Sequence, residues 1–158
     1  MTTILNSPGE VLDVVEAIFS TRAVRRFRPD PIPDDAIWTM LDAAIRGPSS
    51  GNSQRWGWIV VTDETTKRQI GKWYEEAWDG LGNGKRERMR RYVAQTIADA
   101  PVWIIPVLRG VRGDPGLVDG ADIFGAIQNL LLTARKLGIG GTITMLHRRR
   151  EDYVRRIL

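Results

Sequence analysis

Two runs of β-branched and aromatic residues, WGWIVVT at 56–62 and VWIIPVL at 102–108, interrupt a chain otherwise written in helical periodicity. A helix repeats its apolar positions every three to four residues and a strand every two. A few short strands among many helical segments therefore predict a fold that mixes helices with a small sheet. A third run of the same character, GGTITML at 140–146, predicts a third strand. Pro106 lies inside the second run and predicts an edge strand or a bulge, because proline has no N–H to give to a ladder.

The helical segments carry their own punctuation. SPGE at 7–10 predicts a helix start, with Ser7 as N-cap, Pro8 at the first helical position and Glu10 reaching back. Val11, Val14, Val15, Ile18 and Phe19 continue it at helical spacing. Pro29, Pro31 and Pro33 then hold the chain extended, and Asp34 and Asp35 suit the positive start of a second helix. Its apolar face is Ile37, Met40, Leu41, Ala44 and Ile45, and RGPSSGNSQ at 46–54 breaks it with turn chemistry.

Asp63 predicts the cap of a third helix, with Ile70, Trp73, Tyr74, Ala77 and Leu81 on one side and a glycine-rich connection, DGLGNGK, after it. A weaker amphipathic helix over 86–100 stops at Pro101. From 122 to 137 the apolar stripe of Ile123, Ala126, Ile127, Leu130, Leu131, Ala134 and Leu137 is wide enough to predict burial, in the core or at a subunit interface. Gly138 predicts a left-handed cap, and REDYVRRIL at 150–158 a last helix. The order is α, α, β, α, α, β, α, β, α. With 158 residues, no repeat and no separating linker, one domain over 1–158 is expected.

Composition excludes several chemistries. There is no cysteine and a single histidine, His147, which argues against a Ser-His or Cys-His nucleophile and against a zinc site. GLGNGKR has the wrong glycine spacing for a triphosphate loop and has Arg86 where the magnesium-binding hydroxyl belongs. GIGG at 138–141 joins helix to strand, whereas a dinucleotide fingerprint joins strand to helix. No stretch approaches the roughly 18 apolar residues of a membrane span, and the first residues lack the pattern of a signal peptide. A soluble cytoplasmic protein without a membrane partner is expected. Chemistry carried by a bound cofactor stays open, since a flavin accepts hydride on its own ring.

Formal net charge is +4, which favours anionic partners without choosing among them. The arginines concentrate in TRAVRRFRPD at 21–30, between a helix and the proline track. Arg22, Arg25, Arg26 and Arg28 read either as solvated surface charge or as guanidinium groups held on one phosphate. GPSSGNSQRW, about 25 residues on, offers hydroxyls, amides and backbone N–H groups suited to the polar edge of a heterocycle, or is a serine-rich turn. The basic stretches KRERMRR and HRRREDYVRR raise nucleic acid as a partner. Interleaved Glu87, Glu151 and Asp152 make solvated helix faces the better reading, so no nucleic-acid partner is expected.

TRAVRRF, DPIPDDAIWTMLDAA, GPSSGNSQRW, WIVVTD, ADAPVWIIPVL and AIQNLLLTARKLGIGGTIT together resemble, in order and across nearly the whole chain, the FMN-dependent nitroreductase family. The resemblance implies an α+β fold, a three-layer α-β-α sandwich around a central mixed or antiparallel sheet. EDYVRRIL ends where the family continues into another strand, so either a fragment or a shortened form, lacking the C-terminal strand, is expected. By the same resemblance Arg22 and Arg25 bind the FMN phosphate and ribityl end, with Arg26 or Arg28 compensating for Thr21, which stands where the family has arginine. Ser49, Ser50 and Asn52 meet the flavin of a partner subunit in a homodimer, and Gln54 supports that loop or touches the ring. Thr142, Thr144 and Met145 fall where the family runs backbone past the reactive edge.

The implied activity is hydride transfer from NAD(P)H through FMN to a nitroaromatic, a quinone or a similar small electron-poor acceptor, with no catalytic side chain of its own. Ala23 replaces a serine of the family pattern, and Arg55 replaces the proline of its QPW, adding a cation that favours an anionic substrate or points to solvent. These departures and the short end leave a second reading, a non-redox carrier or sensor of flavin or deazaflavin.

Overall fold

The computed structural model describes residues 13–76, 84–110, 116–146 and 151–158. It contains helices α1 (Val14–Ser20), α2 (Asp34–Ala44), α3 (Glu64–Glu76), α4 (Lys85–Thr96), α5 (Leu117–Lys136) and α6 (Glu151–Ile157), with strands β1 (Trp56–Val61) and β2 (Trp103–Leu108). Each boundary has a local cause. Asp13 caps α1 by accepting the Glu16 N–H at 2.9 Å, while the expected Ser7 cap lies outside the described residues. Pro33 leads into α2 and places Asp34 and Asp35 in its first turn. Asp63 caps α3 as expected, its Oδ2 accepting the Thr66 N–H at 2.6 Å. Gly138, at φ 75°, ends α5, and the Ile139 N–H reaches back to Ala134 O at 2.8 Å.

The described residues form two compact units. One is drawn from Met1–Val24, Ile32–Val60 and Ile104–Gly141, the other from Arg25–Pro31, Val61–Trp103 and Thr142–Leu158. Six segments alternate between them, so neither unit is a contiguous stretch of sequence.

In the first unit α2 and α1 pack on α5. The predicted stripe of α5 is buried only along Ile123, Ala126, Leu130 and Ala134, the narrower face of one helix, while Phe124 is exposed. Trp56, Ile123 and Ala126 form a core cluster, with Trp58, Leu108 and Ile127 packed against it. The Arg109 N–H donates to Arg55 O at 2.7 Å, and a Cβ on Gly57 would lie 3.0 Å from Val107 Cγ2. Residue 55 thus faces 109 and 57 faces 107, which makes the β1–β2 pair antiparallel. Pro106 is tolerated because each strand of a two-stranded sheet keeps an open edge.

In the second unit Ile70, Trp73 and Tyr74 of α3, Ala94 of α4, Ile97 and Val154 of α6 make the core, with Trp103, Leu146, Tyr153 and Ile157 against it. Trp73 and Tyr74 meet edge to face, their centroids 5.8 Å apart. The buried Lys67 extends from α3 to Ala100 O at 2.9 Å and Pro101 O at 3.1 Å, closing the short 3₁₀ turn at Ile97–Asp99.

The expected third strand is a correction. Residues 141–145 are irregular, and the two-stranded sheet is the only one among the described residues. Half-buried Thr142 and Thr144 still alternate with exposed Ile143 and Met145. Alternation belongs to any extended chain, whereas a strand also needs a neighbouring edge, which residue pattern alone does not supply. His147 and the glycine-rich stretch 80–83 lie outside the described residues. Among the described residues no helix is long and apolar enough to cross a membrane.

Lys67→Met keeps the side chain's length but leaves two carbonyls without their donor, and is expected to lower unfolding free energy by about 2 kcal/mol in urea titrations. The Thr66 backbone N–H, then its hydroxyl, hold the Asp63 carboxyl below the ordinary aspartate range. A carboxyl depressed on folding stabilises above its unfolded pKa and loses that contribution as pH falls through its folded one. The stability gap between the parent chain and Asp63→Ala should therefore be full at neutral pH and narrow on acidification.

Candidate functional site

The serine-rich loop lies along α5. On leaving α2 the chain crosses so close to that helix that a Cβ on Gly47 would sit 3.0 Å from both Cα and N of Ala126. Any larger residue there requires the α5 backbone to yield. One helical turn nearer the start of α5, Asp122 Oδ1 accepts the Ser50 N–H at 2.9 Å. One turn nearer still, Asp119 forms an ion pair with Arg55. Residues 47, 50 and 55 are thereby fixed by 126, 122 and 119 in turn.

Between these anchors the backbone is left-handed at Gly51 (φ 58°), Asn52 (φ 52°) and Gln54 (φ 46°). Asparagine tolerates that region. Glutamine does not favour it, at a cost of about 1–2 kcal/mol. Internal bonds hold the turn: the Gln54 N–H donates to Ser49 Oγ at 3.1 Å and Gln54 Nε2 to Asn52 Oδ1 at 2.7 Å. Ser50, Asn52 and Gln54 are exposed. Four of the expected site residues, Ser49, Ser50, Asn52 and Gln54, are thus brought together in one braced, solvent-facing turn.

The arginine segment begins in the same unit. Thr21 Oγ1 donates to Ala17 O at 2.6 Å and so closes α1. Exposed Arg22 turns its Nη1 onto Phe19 O and Thr21 O, both at 2.7 Å. Buried Arg135 of α5 donates from Nε to Ser20 Oγ at 3.1 Å, fixing the end of α1. The Val24 N–H donates to Gly141 O at 3.0 Å, and a Cβ on Gly140 would lie 2.7 Å from Val24 Cγ2. This brings the arginine segment and the turn after α5 into contact across more than a hundred residues.

The remaining expected site residues, Arg25, Arg26, Thr142, Thr144 and Met145, belong to the second unit. There the Arg26 guanidinium lies over the Tyr92 ring, 5.6 Å from its centroid, and Arg28 pairs with Asp30 at 2.5 Å. Both guanidinium groups are engaged.

Residues 18–158 match the model of the Nitroreductase family. The chain belongs to that family. A Methanothermobacter thermautotrophicus protein, provisionally named NADH dehydrogenase/NAD(P)H nitroreductase, is 32% identical over 135 residues, which cover 84% of this chain and 61% of that protein. The chain thus spans about three fifths of that relative's length. The solved FMN-bound nitroreductase of Bacteroides fragilis has a similar fold, with TM-score 0.73 and 23% identity over 92% of this chain and 78% of that one. So does an iodotyrosine deiodinase bound to FMN and 3-iodo-L-tyrosine, with TM-score 0.75 and 19% identity over 92% and 82%. The α+β fold expected from the sequence is the nitroreductase fold.

Within this family member Arg55 is not a free cation beside the loop, because Asp119 takes its charge. Asp119 and Asp122 are the residues that sequence reasoning missed. It began the helix at Asp122, five residues late, and so gave Asp119 no place. Acids at the start of a helix already have a sufficient explanation in its dipole.

Gly140→Ala forces a methyl group against Val24 and is expected to cost about 1–3 kcal/mol. Gly120→Ala, with nothing within 4 Å of the new methyl on a helical backbone, should gain about 0.5–1 kcal/mol. Urea midpoints of the two variants should move in opposite directions.

Proposed function

We propose that the chain is an FMN-dependent oxidoreductase that uses NAD(P)H to reduce a small electron-poor acceptor such as a nitroaromatic or a quinone. One observation carries this reading: a polar, exposed turn is laid along α5 and braced in a left-handed conformation, in a chain of the nitroreductase family. Relatives and structural neighbours named as nitroreductases, two of the described folds holding FMN, support it.

The donor set fits a phosphorylated heterocycle. The Gln54–Asn52 bond occupies the Asn52 oxygen, which assigns the Asn52 NH₂ to donate to a ligand. The hydroxyl of Ser50 can donate or accept. Arg22 is fixed through Nη1 on the end of α1, so its other N–H groups meet a phosphate from a set position. When bound, FMN supplies the redox chemistry, taking hydride from NAD(P)H and giving electrons to the acceptor. The part of this chain is to bind, orient and stabilise negative charge with N–H dipoles and arginine.

The acceptor is proposed only as a class, because a similar fold in the deiodinase binds an iodinated amino acid. A homodimer is part of the proposal. In the first unit Phe19 is 72% exposed, Trp38 71% and Leu117 91%, large apolar side chains that a partner subunit would cover.

The purified protein is expected to be yellow or to take up added FMN, to elute as a dimer, and to oxidise NADPH when menadione or a nitroaromatic is present. Arg22→Ala should weaken FMN binding about tenfold, as loss of a charged hydrogen bond does, while Arg68→Ala on the exposed face of α3 should not. Tight FMN binding without turnover selects the carrier reading instead. A chain that stays colourless in excess FMN overturns both.

A further inference from the structure

Asp119 and Asp122 stand three residues apart on α5, on one face of the helix, and reach opposite ends of the serine-rich turn. Asp122 Oδ1 holds the Ser50 N–H at the entry. At the exit Asp119 divides its carboxylate, Oδ2 accepting the Gly116 N–H at 2.9 Å while Oδ1 takes the Arg55 guanidinium. The Asp119 side chain is only 14% exposed and that of Arg55 37%, so this pair is less screened than the chain's helix-surface pairs, such as Arg46 with Asp42. Arg55 in turn gives its carbonyl to the Arg109 N–H at 2.7 Å, fastening the exit to the sheet.

The internal bonds from Gln54 to Ser49 and Asn52 act against an unfavourable backbone conformation, so the turn needs its anchors as well. Gln54 is left-handed, and a residue of that type stays so only where its surroundings over-determine the backbone. Neither carboxylate is among the groups the proposed cofactor would touch.

We propose that Asp119 and Asp122 are positioning residues, which hold Ser50, Asn52 and Gln54 in their binding conformation before the cofactor arrives. The inference rests on the flavin reading above. Its physical content is preorganisation: order imposed by α5 in the free protein need not be imposed by the ligand, and the saving appears as affinity.

The test uses the full chain with Asp122→Ala, Asp122→Asn and Asp119→Asn. Amide hydrogen exchange over 46–55 is followed in cofactor-free protein, and FMN affinity by quenching of flavin fluorescence. Asp122→Ala should speed exchange at Ser50 about tenfold with α2 and α5 still protected, and weaken FMN binding about tenfold. Asp122→Asn keeps an acceptor oxygen and should recover most of both. Asp119→Asn should loosen Gln54 and Arg55 while sparing Ser50. Unchanged loop exchange in the aspartate variants overturns the proposal, as does a loosened loop with undiminished FMN affinity. If the parent chain binds no FMN, the flavin reading falls and the positioning role for a flavin falls with it. Loop exchange then separately decides whether the carboxylates hold the turn.

Discussion

The close approach of the chain to α5 at Gly47 is the constraint on which the candidate site depends. Ala44 and Ala126 are both fully buried, and with hydrogen alone on residue 47 the end of α2 comes down onto the backbone of α5. Asn129 adds a bond from its Nδ2 to Ala43 O at 3.3 Å. Once that crossing is fixed, the following residues run along the helix toward its start, and carboxylates one and two turns away find the Ser50 N–H and Arg55. A larger residue at 47 would press on that backbone.

The arginine segment obeys a different economy. Arg22 bonds the end of α1 and Arg28 pairs with Asp30, both close in sequence, whereas Arg26 lies over Tyr92 of α4. Partners of this kind restrict the rotamers of a long side chain. Arg135 behaves differently again. It is buried on α5 and contributes its stem to packing and its Nε to Ser20, so it belongs to the scaffold although its residue type resembles a binding group.

Much of the fold was legible because it is local. The spacing of Ile37, Met40, Leu41 and Ala44 gives α2 and its buried face together, and the cap at Asp63 and the left-handed Gly138 follow from the stereochemistry of one or two residues. The extent of burial on α5 was less legible, because the sequence shows how many apolar residues a helix has and not how many neighbours it meets. The segment 141–145 kept the alternation of a strand and lacked a ladder. In the candidate site, the polar residue types of the turn at 49–54 were legible; the carboxylates that brace it were not, since their partners lie 72 and 64 residues away in the chain.

By itself, then, the sequence determined the helices and two strands, the absence of any cysteine thiolate, and the family to which the chain belongs, because propensity, capping, composition and motif order are properties of residues and their near neighbours. The tertiary structure alone decided that Arg55 is neutralised by Asp119, that Gly47 lies against the backbone of α5 and that Ser50 is held by α5. Each of these depends on a contact between distant segments, and such a contact exists only after helices have packed and water has left the space between them.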